Sequence, residues 1–537
     1  MASARMVNLF SRWPRICGQI KSNHPSVQIQ RLFCNENQSE KLPLSERLPG
    51  LPNVRYAVAS KERHETKVTT LENGLRVASE KSFGDCCTFG IVIDSGSRYE
   101  VAYPSGVVHF LEKLAFHSTT KYSDNNAIQE VVEPHGGMID CQAQRDCLMY
   151  ASSISLKGIE DGMDVISEAV LRPKLEDAEI EEARQAVAYE LNLLDTDPDM
   201  TMNIMNELIH ASAYRDNTVG LPRYCSPDNI NKIDKKILYT FMKNYHTPDR
   251  MVLSGAGIDH DLLVDLAKKY FTKTPIWEED AKLIDPTLGR DGSLSQYTGG
   301  MIKVDKDLAD VRNGPNPMPQ GELAHVAIAL ETCSWHDEDY IPFSVLAMML
   351  GGGGSFSVGG PGKGMYSRLY LNVLNRYYWV NFCQALNVTY DDTGFFTITA
   401  NAHPSHLGDL VQIVQNELCK TAGKITVNAY GNELERAKIQ LKSLLLGHLE
   451  LRPVVFEDIA RQVLASGERK SAEWYIEKIG AVTEEDIQRV ANRMLRTQPA
   501  VAAMGNLEQL PSYDKIANAL VKGYSRKFLG GKISLFS

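Results

Sequence analysis

From Val68 to Ser79, across the turn Asn73-Gly74, and again from Thr88 to Ser95, the chain reads as strand, turn and second strand, closing at Gly96. The period then changes. Over residues 104 to 118, Val108, Leu111, Leu114 and Ala115 recur at helical spacing, which puts His109, Glu112 and Lys113 together on a neighbouring face. Periodicity is lost between about Thr274 and Ser293, where Pro275, Pro286, Gly289 and Gly292 sit among charges, and this predicts an inter-domain linker. The expected layout is a first domain over 64–275, a linker over 276–294 and a second domain over 295–537.

The two halves repeat one ordered series. Asp146-Cys147-Leu148-Met149-Tyr150 opens a strand, a helix over 158 to 170 follows, and a further helix runs around Glu182 to Leu194. In the second half Asp392-Thr393-Gly394-Phe395-Phe396 opens the strand, a helix over 405 to 419 follows, and Glu433 to Leu446 matches the last helix. Asp146 and Asp392 are 246 apart and Arg184 and Arg436 are 252 apart, so the registers agree to within a short insertion. The expectation is an α+β fold of two homologous lobes, each a mainly antiparallel sheet covered on one face by helices, with a cavity between the lobes.

Composition adds a distinct N-terminus. Residues 1 to 34 carry Arg5, Arg12, Arg15, Lys21 and Arg31 and no acid, and Leu9, Trp13, Ile16 and Ile20 fall on one side of a helical wheel. That is the pattern of a mitochondrial transit peptide, with Arg31-Leu32-Phe33-Cys34 resembling a matrix cleavage site; a disordered basic tail is the plain alternative. Residues 35–63, with Pro43, Pro49 and Pro52, read as an extended arm. Without residues 1–34 the net charge moves from −10 to −15, a poor match for nucleic acid and a fair one for basic ligands. Every apolar run is broken before the roughly 18 residues that a membrane-spanning helix needs. Ten scattered cysteines without CxxC spacing favour reduced thiols in an intracellular compartment.

His109-Phe110-Leu111-Glu112-Lys113 is the most informative window. On a helix, HxxEH presents two imidazoles to one zinc while its Glu activates water. Here Lys113 stands at the second His, and an ammonium has no lone pair to donate. The window resembles the inverted motif of the pitrilysin-type zinc peptidases (family M16). That resemblance implies a third ligand Glu about seventy-seven residues beyond the second His, which is Glu190, and another acid two turns before it, where this chain has Ala183. One His and the distal Glu are retained while one ligand is lost, so no catalytic or metal-binding role is expected of His109, Glu112, Lys113 and Glu190. The plain alternative is an ordinary polar pair on a helix. Lys113 is expected near Glu190, supplying positive charge in place of a metal. A ligand set using His117, two turns on at a rotated angle, is disfavoured by helix geometry.

Residues 351 to 364 hold eight glycines in fourteen positions, a composition expected to form neither stable helix nor strand. A phosphate-binding loop fails in detail, since Lys363 is followed by Gly364 and Ser357 stands where the first Gly belongs. A slack surface loop is the plain reading. The segment lies between the expected helices Ile341 to Leu350 and Tyr366 to Leu374, and it resembles the glycine-rich loop of the processing-peptidase alpha subunits, a non-catalytic branch of the same family. What the resemblance implies is substrate binding by Gly351, Gly352, Gly353, Gly354, Ser355, Gly359, Gly360, Gly362, Lys363 and Gly364. It further implies a heterodimer with a mitochondrial processing peptidase beta subunit that carries the zinc, no cofactor in this chain, and basic presequences of imported precursors as ligands. The implied location is the mitochondrial matrix, with peripheral inner-membrane association as a variant. The alternative is a structural core subunit of the cytochrome bc1 complex, built on the same fold. His135, beside Gly136 and Gly137, is read as structural; Asp146, Asp391 and Asp392 suit either a basic ligand or strand-start turns.

Overall fold

The computed structural model describes residues 65–528 except 83, 198–199, 216, 307, 309–321, 356–363, 424–426 and 429–430. The expected leader (1–34) and arm (35–63) lie outside the described residues. The first sheet contains β1 (Lys67–Thr70), β2 (Arg76–Glu80), β3 (Cys86–Ile93), β4 (Met138–Ala143), β5 (Leu148–Ser155) and β6 (Met251–Ala256), in the order β1-β2-β6-β3-β5-β4. The second contains β7 (Gly300–Asp305), β8 (Ala324–Glu331), β9 (Gly352–Gly354), β10 (Val380–Thr389) and β11 (Gly394–Ala402). After a short hairpin, β12 (Val427–Asn428) and β13 (Gly431–Asn432), β14 (Ala500–Gly505) completes the order β7-β14-β8-β11-β10-β9. In each sheet one parallel pair, β2 with β6 and β7 with β14, interrupts antiparallel neighbours. The duplication expected from the sequence is therefore present strand by strand, with β1 and β9 as the additions.

The helices carry the same correspondence: Ile159–Leu171 matches Leu407–Lys420, and Asp177–Thr196 matches Glu433–His448. One expectation needs correction. The sheets are covered on both faces, and the second face of each is covered by a helix of the other lobe. Thr201–Tyr214 packs on β14, β7 and β8, whereas Arg452–Ser466 packs on β6, β3 and β2. Alternation along the strands explains why this works. In β8 and β14, Val326, Ile328, Leu330, Val501 and Ala503 face their own lobe's helices. Ala327, Ala329, Ala500, Ala502 and Met504 face Met205, Ile209, Ala213 and Tyr214 of the exchanged helix. Small side chains on that face let the helix approach closely, so the strands read as nearly continuous apolar runs.

Buried polar groups tie the exchange in place. Ser212 Oγ donates across to Val501 O (3.0 Å) and accepts from Val501 N (3.1 Å), and Ser254 Oγ donates to Phe456 O (3.1 Å). Arg76 Nη1 donates to Val463 O and Leu464 O (2.8 and 3.1 Å), placing a cation on the C-terminal carbonyls of the second exchanged helix. Arg98 forms a two-pronged pair with Asp392 (3.1 and 2.7 Å), and Asp392 also accepts from Ser295 N (2.7 Å). Among the described residues no helix is long and apolar enough to cross a membrane.

Candidate functional site

The motif helix is Val107–Leu114, eight residues where the spacing predicts a longer one. Both ends have a cause. It begins after Gly106, whose φ of 112° is left-handed and where a Cβ would lie 2.4 Å from Cys225 Cβ. It stops at Leu114 because Ala115 turns to ψ 137°, and Phe116 follows in the left-handed region at φ 61°. Beneath its first turn Glu100, 2% exposed, accepts from Gly106 N and Val108 N, both at 2.7 Å. Burial pushes the Glu100 carboxyl up to about 8, against the two N–H bonds that favour its ionised form.

His109 is buried, with the edge of Tyr224 against its ring. Its two nitrogens have separate partners: Cys225 N donates to Nδ1 at 3.2 Å, and Nε2 lies 3.1 Å from Glu190 Oε2. Since Nδ1 is an acceptor, the ring proton sits on Nε2, and the nitrogen that faces the motif offers an N–H instead of a lone pair.

Lys113 fills the remaining space. Its Nζ is 2.6 Å from Glu190 Oε2 and 3.5 Å from Glu112 Oε1, the approach expected from the sequence. Burial alone would lower the Lys113 ammonium, but its bond to Glu190 and the charges of both acids raise it above its ordinary value. Burial alone would likewise raise the Glu190 carboxyl. Hydrogen bonds from His109 and Lys113 outweigh that and hold it at about 2. Glu112, the position of a water-activating base, spends Oε2 on Ala143 N at the end of β4 (2.7 Å). Ala183 is buried without a polar atom to offer.

These residues do not fit a zinc ion. A ligand set needs lone pairs converging on one point, and the side chains present offer an imidazole N–H, an ammonium and two carboxylates already engaged. Among the described residues no group of three or more His, Cys, Asp or Glu is arranged to hold a metal. What the cluster can do is hold charge in balance and pin the motif helix to helix Asp177–Thr196 and to β4. Cys225, Ala143 and Glu100 complete it. Nothing in the sequence pattern marks the first two, which act through backbone N–H groups.

The glycine segment departs from expectation. Gly352–Gly354 form β9, pairing antiparallel with Phe382, Cys383 and Gln384 of β10. Glycine is required here by close approach and backbone sign. A Cβ at Gly351 (φ 56°) would lie 2.5 Å from Ser367 Cβ, and at Gly352 (φ 94°) 2.0 Å from Cys383 O. A Cβ at Gly353 would meet nothing within 4 Å. Ser355 N donates to Asn381 O at 2.7 Å, and Gly364 (φ 84°) approaches Gln440. Gly359, Gly360, Gly362 and Lys363 lie outside the described residues.

The other candidates have partners within the chain. Asp146 pairs with Arg461 (3.2 Å), Asp391 with His336 (2.7 Å), Asp392 with Arg98, and His135 with Asp161 (3.0 Å). His117 Nδ1 lies 3.4 Å from Ala115 O.

Comparison with known proteins is consistent across sequence and fold. Residues 76–227 match the family model for insulinase (peptidase family M16), and 232–441 match the model for the peptidase M16 inactive domain. The human mitochondrial-processing peptidase subunit alpha is 47% identical over 522 residues, 97% of this chain and 96% of its own length. The Bos taurus subunit alpha is 49% identical over 91% of each chain. An Arabidopsis thaliana protein named as a probable mitochondrial-processing peptidase subunit alpha-1 is 32% identical over 85% of each. A chain of complex III2 from Candida albicans shares the fold, with a TM-score of 0.66 at 18% identity over 84% of this chain and 99% of that one.

Proposed function

This chain belongs to peptidase family M16, within its mitochondrial-processing peptidase alpha subunits, and on that premise we propose that it is the non-catalytic, presequence-binding subunit of a heterodimeric processing protease. The observation that carries the proposal is the Lys113 ammonium 2.6 Å from Glu190, in the place where the family's zinc would need a neutral ring nitrogen. A homologous beta subunit with an intact motif supplies the zinc and cuts the bond. This chain supplies the grip.

The ligands are the basic amphipathic presequences of imported precursors, and the working location is the mitochondrial matrix, with peripheral contact on the inner membrane where the complex leans on it. An acidic chain attracts such peptides over distance, and salt weakens the attraction. The glycine segment from Gly351 to Gly364 contributes substrate contacts through its backbone.

The test is reconstitution. Presequence removal is measured with this chain alone, with its zinc-bearing partner alone, and with both together. The expected result is cleavage only by the pair, and binding of a basic amphipathic peptide by the lone chain that weakens as salt rises. Cleavage by the lone chain, abolished by a chelator, would sink the proposal.

A further inference from the structure

A pit of about 590 Å³ opens in the second lobe, between the start of helix Tyr340–Leu350, the end of Arg452–Ser466 and the two helices that follow, Ala472–Ala481 and Glu484–Met494. Four aromatic side chains line it. Trp335 stacks on Tyr340, with ring centroids 6.2 Å apart and planes 27° from parallel, and Trp474 stands edge-on to Tyr475 at 5.0 Å. Ile341, Pro342 and Val482 add apolar surface.

The charges of the lining, four carboxylates against three cations, do not all cancel. Asp337 pairs with Arg493 (2.9 Å), Asp486 with Arg489 (2.9 Å) and Glu468 with Lys470. Two are left over. Glu338, exposed, has no ion pair among the described residues, and Lys478, also exposed, has none with a carboxylate. Instead the Lys478 ammonium lies 5.7 Å from the centre of the Trp474 ring, and Lys470 approaches the same ring at 5.9 Å. Both are near the limit, about 6 Å, at which the face of an aromatic ring attracts a cation. The pit is thus a cation site that the chain's own lysines fill loosely. An ammonium is a compact charge that keeps its water. An arginine guanidinium is planar and less strongly hydrated, lies flat on an indole, and still offers N–H groups at its edge to a carboxylate such as Glu338.

We propose that this pit seats an arginine side chain of a basic precursor segment, stacked on Trp474 with its charge toward Glu338, and that Lys478 occupies the ring until it arrives. The inference rests on the presequence-binding function above and adds a second contact to it. The pit lies at the start of helix Tyr340–Leu350 and the glycine segment begins at its end, about 16 Å away along the axis, so the two seats are separate. Two weak contacts on one peptide reinforce each other, because holding the first raises the effective concentration at the second.

Two fluorescein-labelled basic amphipathic peptides, identical except for arginine or lysine at every basic position, are titrated against the full-length chain and followed by anisotropy. The arginine peptide should bind at least about threefold more tightly, and Trp474→Leu should erase that preference. Glu338→Gln changes an exposed side chain outside the core and should weaken the arginine peptide by about threefold. Lys478→Met should tighten it, because the competing ammonium is gone, and the tightening should vanish when Trp474→Leu is added. Lys282→Met removes the same charge in the linker and controls for net charge. Three results overturn the arginine seat and leave the presequence-binding function standing: equal affinity of the two peptides, a preference untouched by Trp474→Leu and Glu338→Gln, or tightening by Lys478→Met that Lys282→Met reproduces or that survives loss of Trp474. Absence of binding of either peptide by the unsubstituted chain sinks both.

Discussion

Lys113 and His109 disable the motif in different ways, and the difference is testable. The lysine is visible in the sequence; the histidine tautomer is not, because it is set by the backbone N–H of Cys225, over a hundred positions away. For His109 to give a lone pair from Nε2, its proton must move to Nδ1, where it would face that N–H head-on. Lys113→His alone should therefore bind zinc weakly and substoichiometrically after dialysis, measured by elemental analysis; a tight equimolar ion would sink this account of His109. Glu190 makes a second prediction. Its carboxyl is held at about 2 against 4.5 for a free one, so its contribution to stability is full above pH 4.5 and drains away as the pH falls toward 2. Glu190→Gln should lose about 1–2 kcal/mol at neutral pH, discounted because water reaches part of the group, and the gap should narrow in urea melts taken below pH 4.5. A gap that stays constant down to pH 3 would mean that the charge of Glu190 does not stabilise the fold.

The elements were largely legible from periodicity, and their errors share a cause. Strands around Asn73-Gly74 and the helix pairs of each lobe appear where pattern places them, since the local spacing of apolar positions follows the period of the backbone. The motif helix is shorter than its spacing predicts because apolar positions run on past Leu114, whereas the backbone turns out of the helix at Ala115 and carries Phe116 into the core. The glycine segment was misjudged because composition reports flexibility and cannot report contact. Whether a glycine is slack or obligatory depends on which atom faces its missing side chain, and at Gly352 that atom is Cys383 O. Gly352→Ala should therefore expel β9, at a local cost of about 1–2 kcal/mol or more. Gly353→Ala bears a backbone penalty but meets no neighbouring atom. Hydrogen exchange at the Ser355 and Ala385 amides separates the two: protection should be lost in Gly352→Ala and largely kept in Gly353→Ala. Equal protection in both would show that steric contact with β10 does not govern the strand.

At the scale of the whole molecule the duplication was readable and the exchange of helices was not. Thr201–Tyr214 and Arg452–Ser466 follow one another's place in the repeat, and an apolar helical face does not name the sheet it will cover. The consequence concerns cooperativity. Separated at the linker, 65–294 would leave Val92 and Val252, which alternate with the core residues Ile91, Ile93, Met251 and Leu253, on the uncovered face of the first sheet, and its exchanged helix would expose Met205, Ile209 and Ala213 to water. The other half, 295–537, would lose cover from Ala327, Ala329, Ala500 and Ala502 in the same way. Each half then keeps the core beneath its own helices but bares the opposite face of its sheet, and Arg76, Arg98 and Ser212 lose partners that lie in the other half. Linker flexibility cannot rescue them, because the missing surface is a helix and not a hinge. Calorimetry of the chain lacking residues 1–64 should accordingly give one unfolding transition, and the separately expressed halves should be unfolded or aggregated until mixed, when near-native circular dichroism returns. Two well-separated transitions, or a half that folds alone, would mean that exchanged helices are accessories to two independent domains and that the lobes can move as separate bodies around a bound precursor.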